Sequence, residues 1–412
     1  MEYGLIGEKL GHSFSREVHG ALADYLYELK EIPREGLADF IAERDFKAVN
    51  VTIPFKEAVI PYLDFIDGTA KEIGAVNVLV NRDGKLFGYN TDFYGMQALI
   101  EHMELELREK KVAILGTGGT SKTASAVARS LGAREIYRVS RTAKDGAISY
   151  GELYEKHTDT DVIINTTPVG MSPNISGLSL DIDKFNNLSG VIDAIYNPIR
   201  TPLVLSAKSR GIKAEGGFYM LVGQAVRAAE IFLGTKFPSG TIDRICRETL
   251  KKKENIVLIG MPSSGKSTVG KLIAEAMGRQ LIDTDELIKE NSGRQIPEIF
   301  SELGERAFRD MESEAVLEAA VKSSVVIATG GGAVLRDENV RYLRENGRIF
   351  FIDRPLSALT PTDDRPLSQS REDIERRYKE RYGIYTSVCD QRIDASSDAI
   401  GVAERVMEIF KK

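Results

Sequence analysis

Apolar and polar positions alternate along the chain in blocks that predict strands and helices in turn. Several short runs are nearly all apolar, among them KVAILG, DVIINTT, GVIDAIY, NIVLIG and RIFFID, which is typical of strands covered by helices on both faces. Further strand candidates are KAVNVTI, EIYRVS and VVIATGG. Because helical segments separate these runs, the pattern predicts an α/β fold with parallel sheets.

The length of the chain and one polar segment predict where it divides. With 412 residues, the chain is too long for one core and predicts two or three domains at roughly 150 residues each. The segment FPSGTIDRICRETLKKKEN starts with turn-forming residues and ends in three lysines, 251–253. We therefore place a domain boundary near residue 253 and interpret the lysines as a solvated helix end.

Composition narrows the classes of function. The formal net charge of −6 argues against a nucleic-acid-binding surface, which would need a basic excess. No apolar run approaches the ~20 residues of a membrane span, and the first residues, MEYGLIGEKLG, lack the pattern of a signal peptide. The two cysteines lie far apart, which suits a reducing compartment. We expect a cytoplasmic protein without membrane or nucleic-acid partners, and the sequence leaves a homo-oligomer open.

A glycine-rich loop in the back half predicts nucleotide binding. LIGMPSSGKST contains the spacing G-x-x-x-x-G-K-S, between a predicted strand and a predicted helix. Backbone N–H groups of such a loop surround the phosphates of a nucleoside triphosphate, while Lys266 reaches the β- and γ-phosphates and Ser267 ligates Mg²⁺. The residues that we assign to the nucleotide are Gly260, Ser263, Gly265, Lys266, Ser267 and Thr268.

Four further motifs follow the loop in order: LIDTD, GERAFRDME, VVIATGGGAVL and a polar segment containing RPL. Together with the phosphate loop they resemble shikimate kinase across essentially the whole back half. The resemblance implies that Asp285 contacts the 3-hydroxyl of shikimate and that Asp283 lies on the Mg²⁺ side. It implies that Arg309 and Arg381 hold the shikimate carboxylate, with Gly331 and Gly332 lining the pocket, and that Arg365 closes over the transferring phosphoryl group.

The front half contains a second glycine turn. KKVAILGTGGTSKTASAVARSLGAREIYRVSRT reads as a strand, a turn with Gly116, Gly118 and Gly119, a helix and a second strand, the layout of a dinucleotide site. The second strand ends in Ser140 and Arg141, with Lys144 close by. Since cations there attract a 2′-phosphate and an acidic side chain would repel it, the sequence favours NADP(H) over NAD(H).

Polar clusters around this turn resemble shikimate dehydrogenase from about residue 3 to residue 235, and the stretch NTTPVGM fits the same family. The resemblance implies a Lys56–Asp92 pair for proton transfer and a carboxylate site with Tyr196. The other residues that it implies are Ser13 and Ser15 for the carboxylate, Thr52, Asn77 and Gln224 for the ring hydroxyls, and Asn165 for the cofactor. One departure is Arg16, where the family usually has proline.

We therefore predict a two-lobed dehydrogenase followed by a P-loop kinase with a parallel sheet. The expected ranges are 1–95 and 215–240 for the substrate lobe, 96–214 for the NADP-binding Rossmann lobe, 241–253 for a linker and 254–412 for the kinase. The expected reactions are reduction of 3-dehydroshikimate with NADPH and phosphorylation of shikimate with ATP and Mg²⁺. Two alternatives stay open: a quinate/shikimate dehydrogenase fused to another small-molecule kinase, and a shikimate-sensing regulator without activity.

Overall fold

The computed structural model describes residues 1–10, 14–143, 146–361 and 370–411. The chain forms two compact units. Unit 1 comprises Met1–Met171, Gly177–Asn197 and Leu203–Thr249, and unit 2 comprises Ser172–Ser176, Pro198–Pro202 and Leu250–Lys412. Within the described residues, no helix combines the length and the apolar character that crossing a membrane needs, and a cytoplasmic location stays a prediction.

The first sheet of unit 1 has six strands in the order β2-β1-β3-β5-β6-β4. Its strands are β1 (Tyr3–Gly7), β2 (Tyr27–Glu31), β3 (Ala48–Val51), β4 (Phe65–Ile66), β5 (Val78–Arg82) and β6 (Lys85–Tyr89). The helices along this part of the chain are α1 (Ser15–Leu22), α2 (Leu37–Glu43), α3 (Phe55–Ala58) and α4 (Gly68–Ile73). β5 runs antiparallel to both of its neighbours, so this sheet is mixed rather than wholly parallel.

The second sheet of unit 1 is parallel throughout, in the order β11-β10-β9-β7-β8. Its strands are β7 (Lys111–Leu115), β8 (Glu135–Val139), β9 (Val162–Asn165), β10 (Gly190–Asp193) and β11 (Lys213–Glu215). The helices along this part of the chain are α5 (Asp92–His102), α6 (Gly119–Ser130), α7 (Tyr150–Lys156), α8 (Pro202–Ser209), α9 (Phe218–Leu233) and α10 (Thr241–Lys253), of which α8 begins and α10 ends in residues of unit 2. Residues 241–253, predicted as a linker, therefore form a helix.

Helices α5 and α9 pack tightly against each other because both carry glycine at the crossing. A Cβ at Gly95 would overlap the carbonyl oxygen of Met220 and lie 2.9 Å from the backbone nitrogen of Gln224. A Cβ at Gly223 would lie 3.2 Å from the Cα of Gly95. This close approach brings Asp92, at the start of α5, near the part of α9 that carries Gln224.

Gly95→Ala is expected to destabilise unit 1 by about 1–3 kcal/mol, because the added methyl group has no space and must push α9 away from α5. The measurement is the midpoint of urea unfolding, followed by far-UV circular dichroism. Gly151→Ala is the control, since Gly151 lies exposed in α7 and its nearest neighbour would be 3.7 Å from the new Cβ. An unchanged midpoint for Gly95→Ala would contradict the tight crossing.

Unit 2 contains a five-stranded parallel sheet in the order β13-β14-β12-β15-β16. Its strands are β12 (Asn255–Ile259), β13 (Gln280–Asp283), β14 (Val325–Ala328), β15 (Gly347–Asp353) and β16 (Gln391–Asp394). Its helices are α11 (Lys266–Met277), α12 (Thr284–Ser292), α13 (Ile296–Ala320), α14 (Asp337–Asn346), α15 (Arg371–Val388) and α16 (Ala399–Lys411). Single 3₁₀ turns lie at Arg34–Gly36, Ile60–Tyr62, Ile182–Lys184, Ala333–Leu335 and Leu356–Ala358.

The predicted α/β fold is confirmed, since every apolar run that predicted a strand contains one. The central strand β12 is buried along its whole length and lies between layers of apolar side chains. Helices on both faces exclude water from such a strand, which is why its sequence, NIVLI, shows almost no alternation.

Helix α14 carries a buried acid that makes the stability of the protein depend on pH. The two carboxylate oxygens of Glu345 have no hydrogen-bond partner in the described part of the chain, and Nε of Arg341 lies 3.9 Å away. Burial raises the pKa of Glu345 from 4.5 to about 9, although Arg341 acts in the opposite direction. The folded protein thus holds a proton that the unfolded chain releases, so stability falls as pH rises between these values.

Glu345→Gln is therefore expected to raise the thermal midpoint at pH 8 and to leave it nearly unchanged at pH 5. The slope that the substitution removes is at most about 1.4 kcal/mol per pH unit. Calorimetric unfolding between pH 5 and pH 8 measures it, with Glu338→Gln as the control on the exposed side of the same helix. Parallel pH profiles for wild type and Glu345→Gln would show that Glu345 is ionised in the folded protein.

Candidate active sites

Unit 1 pairs a lysine and an aspartate at the carboxyl end of its first sheet. Lys56 lies in α3, which follows β3, and Asp92 is the first residue of α5. Nζ of Lys56 lies 2.6 Å from Oδ2 of Asp92, and the two side chains are 19% and 11% exposed. The pair is thus largely shielded from water but still reachable, which suits transfer of a proton to or from a bound molecule.

A hydrogen-bonded group of side chains adjoins this pair at Thr91, the residue before Asp92. Oδ1 of Asn77 accepts from the backbone N–H of Thr91 at 2.7 Å, and Nδ2 of Asn77 donates to the Thr91 hydroxyl at 3.1 Å. The same hydroxyl donates to Oε1 of Gln224 at 3.3 Å. Thr91, which directly precedes Asp92, therefore connects two of the predicted substrate residues. The third, Thr52, lies half-buried just beyond β3.

The predicted carboxylate site lies near the start of α1. Ser15 is buried and is the first residue of this helix, while Arg16 is exposed. The ring of Phe14 meets the edge of Tyr196 at 5.6 Å between centroids, which brings Tyr196 close to Ser15. Burial raises the pKa of Tyr196, so its hydroxyl stays protonated and can donate a hydrogen bond to an anion. Ser13 lies outside the described residues.

Sequence reasoning missed Tyr27, which supports both sides of this site. Its hydroxyl donates to Oδ1 of the buried Asn50 at 2.8 Å, and it is also hydrogen-bonded to Ser15. The ring of His19 stacks on Tyr27 at 3.9 Å, and burial lowers the pKa of His19 to about 3. Tyr27 therefore connects the strand that leads to Lys56 with the start of α1. Nothing local in YLYELK distinguishes it from an ordinary strand tyrosine.

The glycine turn of unit 1 leads from β7 into α6. Gly116 has φ 109°, and a Cβ there would lie 2.7 Å from Oγ1 of Thr166, so only glycine fits. Added Cβ atoms at Gly118 and Gly119 would meet nothing within 4 Å, which leaves the N-terminus of α6 open to a ligand. Backbone N–H groups at such a helix start attract phosphate.

Three predicted cofactor residues lie in or beyond the ends of two strands. Ser140 and Arg141 directly follow β8, and Arg141 is exposed. Asn165, the last residue of β9, is fully buried. Its Nδ2 donates to Asp193 at 3.0 Å and its Oδ1 accepts from the backbone of Thr167 at 3.0 Å. Asn165 thus shapes the loop after β9, and its contact with the cofactor stays a prediction. Lys144 lies outside the described residues.

The phosphate loop of unit 2 joins β12 to α11. Gly260, Ser263 and Gly265 have positive φ angles of 151°, 63° and 89°. These angles give the loop its tightly curved backbone. Nζ of Lys266 donates to the carbonyl oxygens of Gly260 and Met261 at 3.0 and 2.8 Å. The lysine therefore lies across the loop, where the phosphates of a nucleotide would lie. Ser267 and Thr268 are exposed at the start of α11.

Two carboxylates lie at the end of β13, as the motif LIDTD predicts: Asp283 is its last residue and Asp285 lies in the first turn of α12. Oδ2 of Asp283 accepts from the Ser267 hydroxyl at 2.5 Å, and its Oδ1 accepts from the backbone N–H of Asp285 at 3.0 Å. A hydroxyl and a carboxylate are the hard oxygen ligands that Mg²⁺ prefers, with phosphate and water completing its shell. Ser267 and Asp283 therefore fit the predicted metal site.

The glycines after β14 lie against charged side chains of the predicted acceptor site. A Cβ at Gly330 would lie 2.6 Å from Asp285 and 2.8 Å from Glu312, and one at Gly332 would overlap the guanidinium of Arg309. Nη1 of Arg381 donates to the carbonyl oxygen of Gly331 at 3.2 Å. The structure thus brings together all predicted acceptor residues that it describes.

Glu312 was not predicted as a site residue, although it closes the motif GERAFRDME. Its Oε2 accepts from Nη1 of Arg309 at 2.7 Å, and it is almost completely buried. Arg309 also pairs with Glu305 at 3.2 Å. Burial lowers the pKa of Arg309, but the two carboxylates outweigh it and raise that pKa, so the guanidinium is charged. Arg365, with the neighbouring Asp363 and Asp364, lies outside the described residues.

Two family models match the chain. The model for the shikimate dehydrogenase substrate binding domain matches residues 5–79, and the model for shikimate kinase matches residues 262–411. The predicted resemblance to both families is confirmed by these matches.

Relatives cover the front part of the chain. The shikimate dehydrogenase (NADP(+)) of Clostridium beijerinckii is 41% identical over 245 residues, which is 56% of this chain and 91% of that protein. A crystal structure of shikimate dehydrogenase 1 from Peptoclostridium difficile matches with a TM-score of 0.56 and 37% identity, over 60% of this chain and 98% of that chain. The structure of shikimate 5-dehydrogenase from Thermus thermophilus in complex with NADP(H) and shikimate matches with a TM-score of 0.55 and 26% identity, over 60% and 99%.

Proposed function

Because this chain belongs to the shikimate dehydrogenase family and its residues 262–411 match the shikimate kinase family, we propose that it catalyses two consecutive reactions. The first is the NADPH-dependent reduction of 3-dehydroshikimate to shikimate. The second is the transfer of the γ-phosphoryl group of ATP to the 3-hydroxyl of shikimate. One observation carries this proposal: a single chain resembles two enzyme families that act on the same compound. Shikimate is the product of the first reaction and the phosphoryl acceptor of the second.

In the first reaction, the Lys56–Asp92 pair acts on the C3 oxygen of the substrate. Bound NADPH would supply the hydride. As the C3 carbonyl becomes an alkoxide, the Lys56 ammonium lowers its energy and transfers a proton to the oxygen, and Asp92 holds the lysine in place at 2.6 Å. Asn77 and Gln224 fix the ring hydroxyls, while Ser15 and Tyr196 bind the carboxylate at the other end of the ring.

The cofactor of this reaction is NADP(H), recognised at the end of β8. The 2′-phosphate of the adenine ribose carries negative charge, and the exposed guanidinium of Arg141 attracts it. Ser140 and Lys144 add a hydroxyl and a second cation to this recognition loop. Gly116, Gly118 and Gly119 admit the pyrophosphate at the N-terminus of α6.

In the second reaction, Asp285 accepts the proton of the 3-hydroxyl while Lys266 neutralises charge on the phosphates. Little covalent chemistry falls to the protein in phosphoryl transfer, so positioning and charge neutralisation dominate. Ser267 and Asp283 would hold Mg²⁺, which would neutralise part of the negative charge on the phosphates of ATP. Arg309 and Arg381 hold the acceptor carboxylate, and Arg365 completes the neutralisation.

The test is an assay of the purified full chain with 3-dehydroshikimate, NADPH, ATP and Mg²⁺. Loss of NADPH is followed by absorbance, and shikimate 3-phosphate is followed by chromatography. The proposal expects both signals, with NADPH oxidised faster than NADH. NADPH oxidation without a phosphate ester would contradict the acceptor assignment, and binding of shikimate without either signal would favour a sensing regulator. Faster NADP⁺ reduction with quinate than with shikimate would favour the quinate/shikimate alternative.

A further inference from the structure

Helix α15 presents a third buried arginine near the acceptor pocket of unit 2. Arg377, Arg381 and Tyr385 follow one another at intervals of four residues, so their side chains share one face of the helix. All three are buried, and Arg377 is only 7% exposed. The hydroxyl of Tyr385 and Nη1 of Arg381 both donate to the carbonyl oxygen of Gly331. This face of α15 therefore lies against the pocket glycines.

Within the part of the chain that the structure describes, no partner accounts for the burial of Arg377. Its Nε and Nη1 are buried without a hydrogen-bond partner in residues 1–10, 14–143, 146–361 and 370–411. The adjacent Arg376 behaves in the ordinary way, since its side chain is 59% exposed and pairs with Asp373 at 2.6 Å. A buried guanidinium with two unpaired nitrogen atoms costs free energy, so its presence in this position calls for a ligand that supplies the missing acceptors.

The charges around Arg377 indicate what kind of ligand this is. Arg381 lies one turn away, and its own Nε is also buried without a partner in the described residues. Burial lowers the pKa of Arg377 and the positive charges of Arg381 and Arg376 lower it further, while Asp373 and Glu305 act in the opposite direction. Glu305 also pairs with Arg309, so this carboxylate interacts with both Arg309 and Arg377. Unpaired donors among these cations suit an anion.

We propose that Arg377 is a third arginine of the acceptor site and binds the carboxylate of the acceptor together with Arg381. The motifs GERAFRDME and RYGIY supply Arg309 and Arg381, whereas Arg377 follows from the geometry of α15 alone. A carboxylate has two oxygens and about four lone-pair positions, enough to accept hydrogen bonds from more than one guanidinium. This inference rests on the proposed phosphorylation of shikimate.

We assign Arg377 to the acceptor rather than to ATP, because the face of α15 that carries Arg377 contacts the glycine segment after β14. The neighbours Arg381 and Tyr385 both reach Gly331, in the glycine segment that lines the pocket. The residue that we assign to the phosphates of ATP is Lys266, whose ammonium contacts Gly260 and Met261 of the phosphate loop. The substitution should therefore change the binding of shikimate and not that of ATP.

The test compares Arg377→Met with Arg376→Met in the full chain. Phosphoryl transfer is measured with shikimate varied at saturating Mg-ATP, and with Mg-ATP varied at saturating shikimate. Loss of one charge-assisted interaction is expected to raise the KM for shikimate roughly 10- to 100-fold in Arg377→Met, with the KM for ATP unchanged. Arg376→Met should match the wild type in both.

Two further measurements separate binding from folding. Without ligand, Arg377→Met should unfold at the same or a higher temperature than the wild type, because it removes a buried cation that lacks partners. With the carboxamide of shikimate as acceptor, wild type and Arg377→Met should be equally active. Should Arg377→Met not fold, Arg377→Lys takes its place, with a smaller rise in the KM for shikimate.

The outcomes distinguish this inference from the function on which it rests. Suppose that the wild type phosphorylates shikimate and that Arg377→Met is unchanged or altered only in its KM for ATP. This result contradicts the role of Arg377 but leaves the proposed kinase reaction standing. A similar loss with shikimate and with its carboxamide also contradicts that role. A wild-type protein that transfers no phosphate to shikimate contradicts the proposed kinase reaction, and the role of Arg377 with it.

Discussion

Lys56→Met is expected to lower the kcat for reduction of 3-dehydroshikimate by about 10²- to 10⁴-fold, the range of a lost general acid. The methionine keeps the length of the side chain but offers neither a proton nor a positive charge to the oxygen at C3. It also leaves Asp92 without the partner that lies 2.6 Å away in the wild type. Stopped-flow or steady-state oxidation of NADPH measures the loss.

The phosphorylation of shikimate by the same Lys56→Met protein is the internal control. Its kinetic constants should stay at the wild-type values, since the substitution lies in unit 1 and the kinase residues lie in unit 2. Lys110→Met is the matched lysine control. Lys110 forms an ion pair of its own, with a distance of 3.1 Å between its Nζ and Oδ1 of Asp161, and it is not part of the Lys56–Asp92 pair. Reduction by Lys56→Met within a few-fold of wild type would exclude Lys56 as the proton donor.

The sequence predicted the fold because buried parallel strands have a distinctive pattern. β12 and β15 read NIVLI and GRIFFID, nearly continuous apolar runs, and the structure covers them on both faces. The mixed first sheet was not predicted, because β5 and β6 (VLVNR and KLFGY) are short and their antiparallel pairing depends on the turn between them. For residues 241–253, the sequence predicted a helix end at the three lysines but a linker overall, because the turn residues Pro238, Ser239 and Gly240 directly precede the segment.

Site residues were predicted where a local motif indicates their chemistry. They were missed where their position depends on packing between residues far apart in the sequence. Lys266 and Asp283 follow from local spacing, and the structure places both at the phosphate loop. Tyr27 is held by its hydrogen bond to Asn50, which is 23 residues away in the sequence. A local sequence pattern does not predict such a contact. Arg377 looks like any charged residue in REDIERRYKER until the fold turns its side of α15 inward. Periodicity alone would have assigned it to a solvated face.

Lys266→Met is expected to lower the kcat for phosphorylation of shikimate by at least about 10²-fold, the cost of removing one preorganised charge from a transferring phosphoryl group. In the structure, Nζ of Lys266 is held by the carbonyl oxygens of Gly260 and Met261 in a largely buried position. A bound nucleotide would offer phosphate oxygens to the same ammonium, so the charge is in place before the reaction begins. Transfer of ³²P from ATP to shikimate measures the loss.

A second lysine of helix α11 provides the control for Lys266→Met. Lys271 is exposed on the same helix, so Lys271→Met should retain full phosphoryl transfer. Lys266→Met should still oxidise NADPH in the presence of 3-dehydroshikimate, and shikimate should accumulate because its phosphorylation is blocked. This accumulation distinguishes a lost kinase step from a misfolded chain, since a misfolded chain would lose both reactions. Full phosphorylation by Lys266→Met would mean that the loop Gly260–Ser267 does not bind the phosphates of ATP, whatever its sequence resembles.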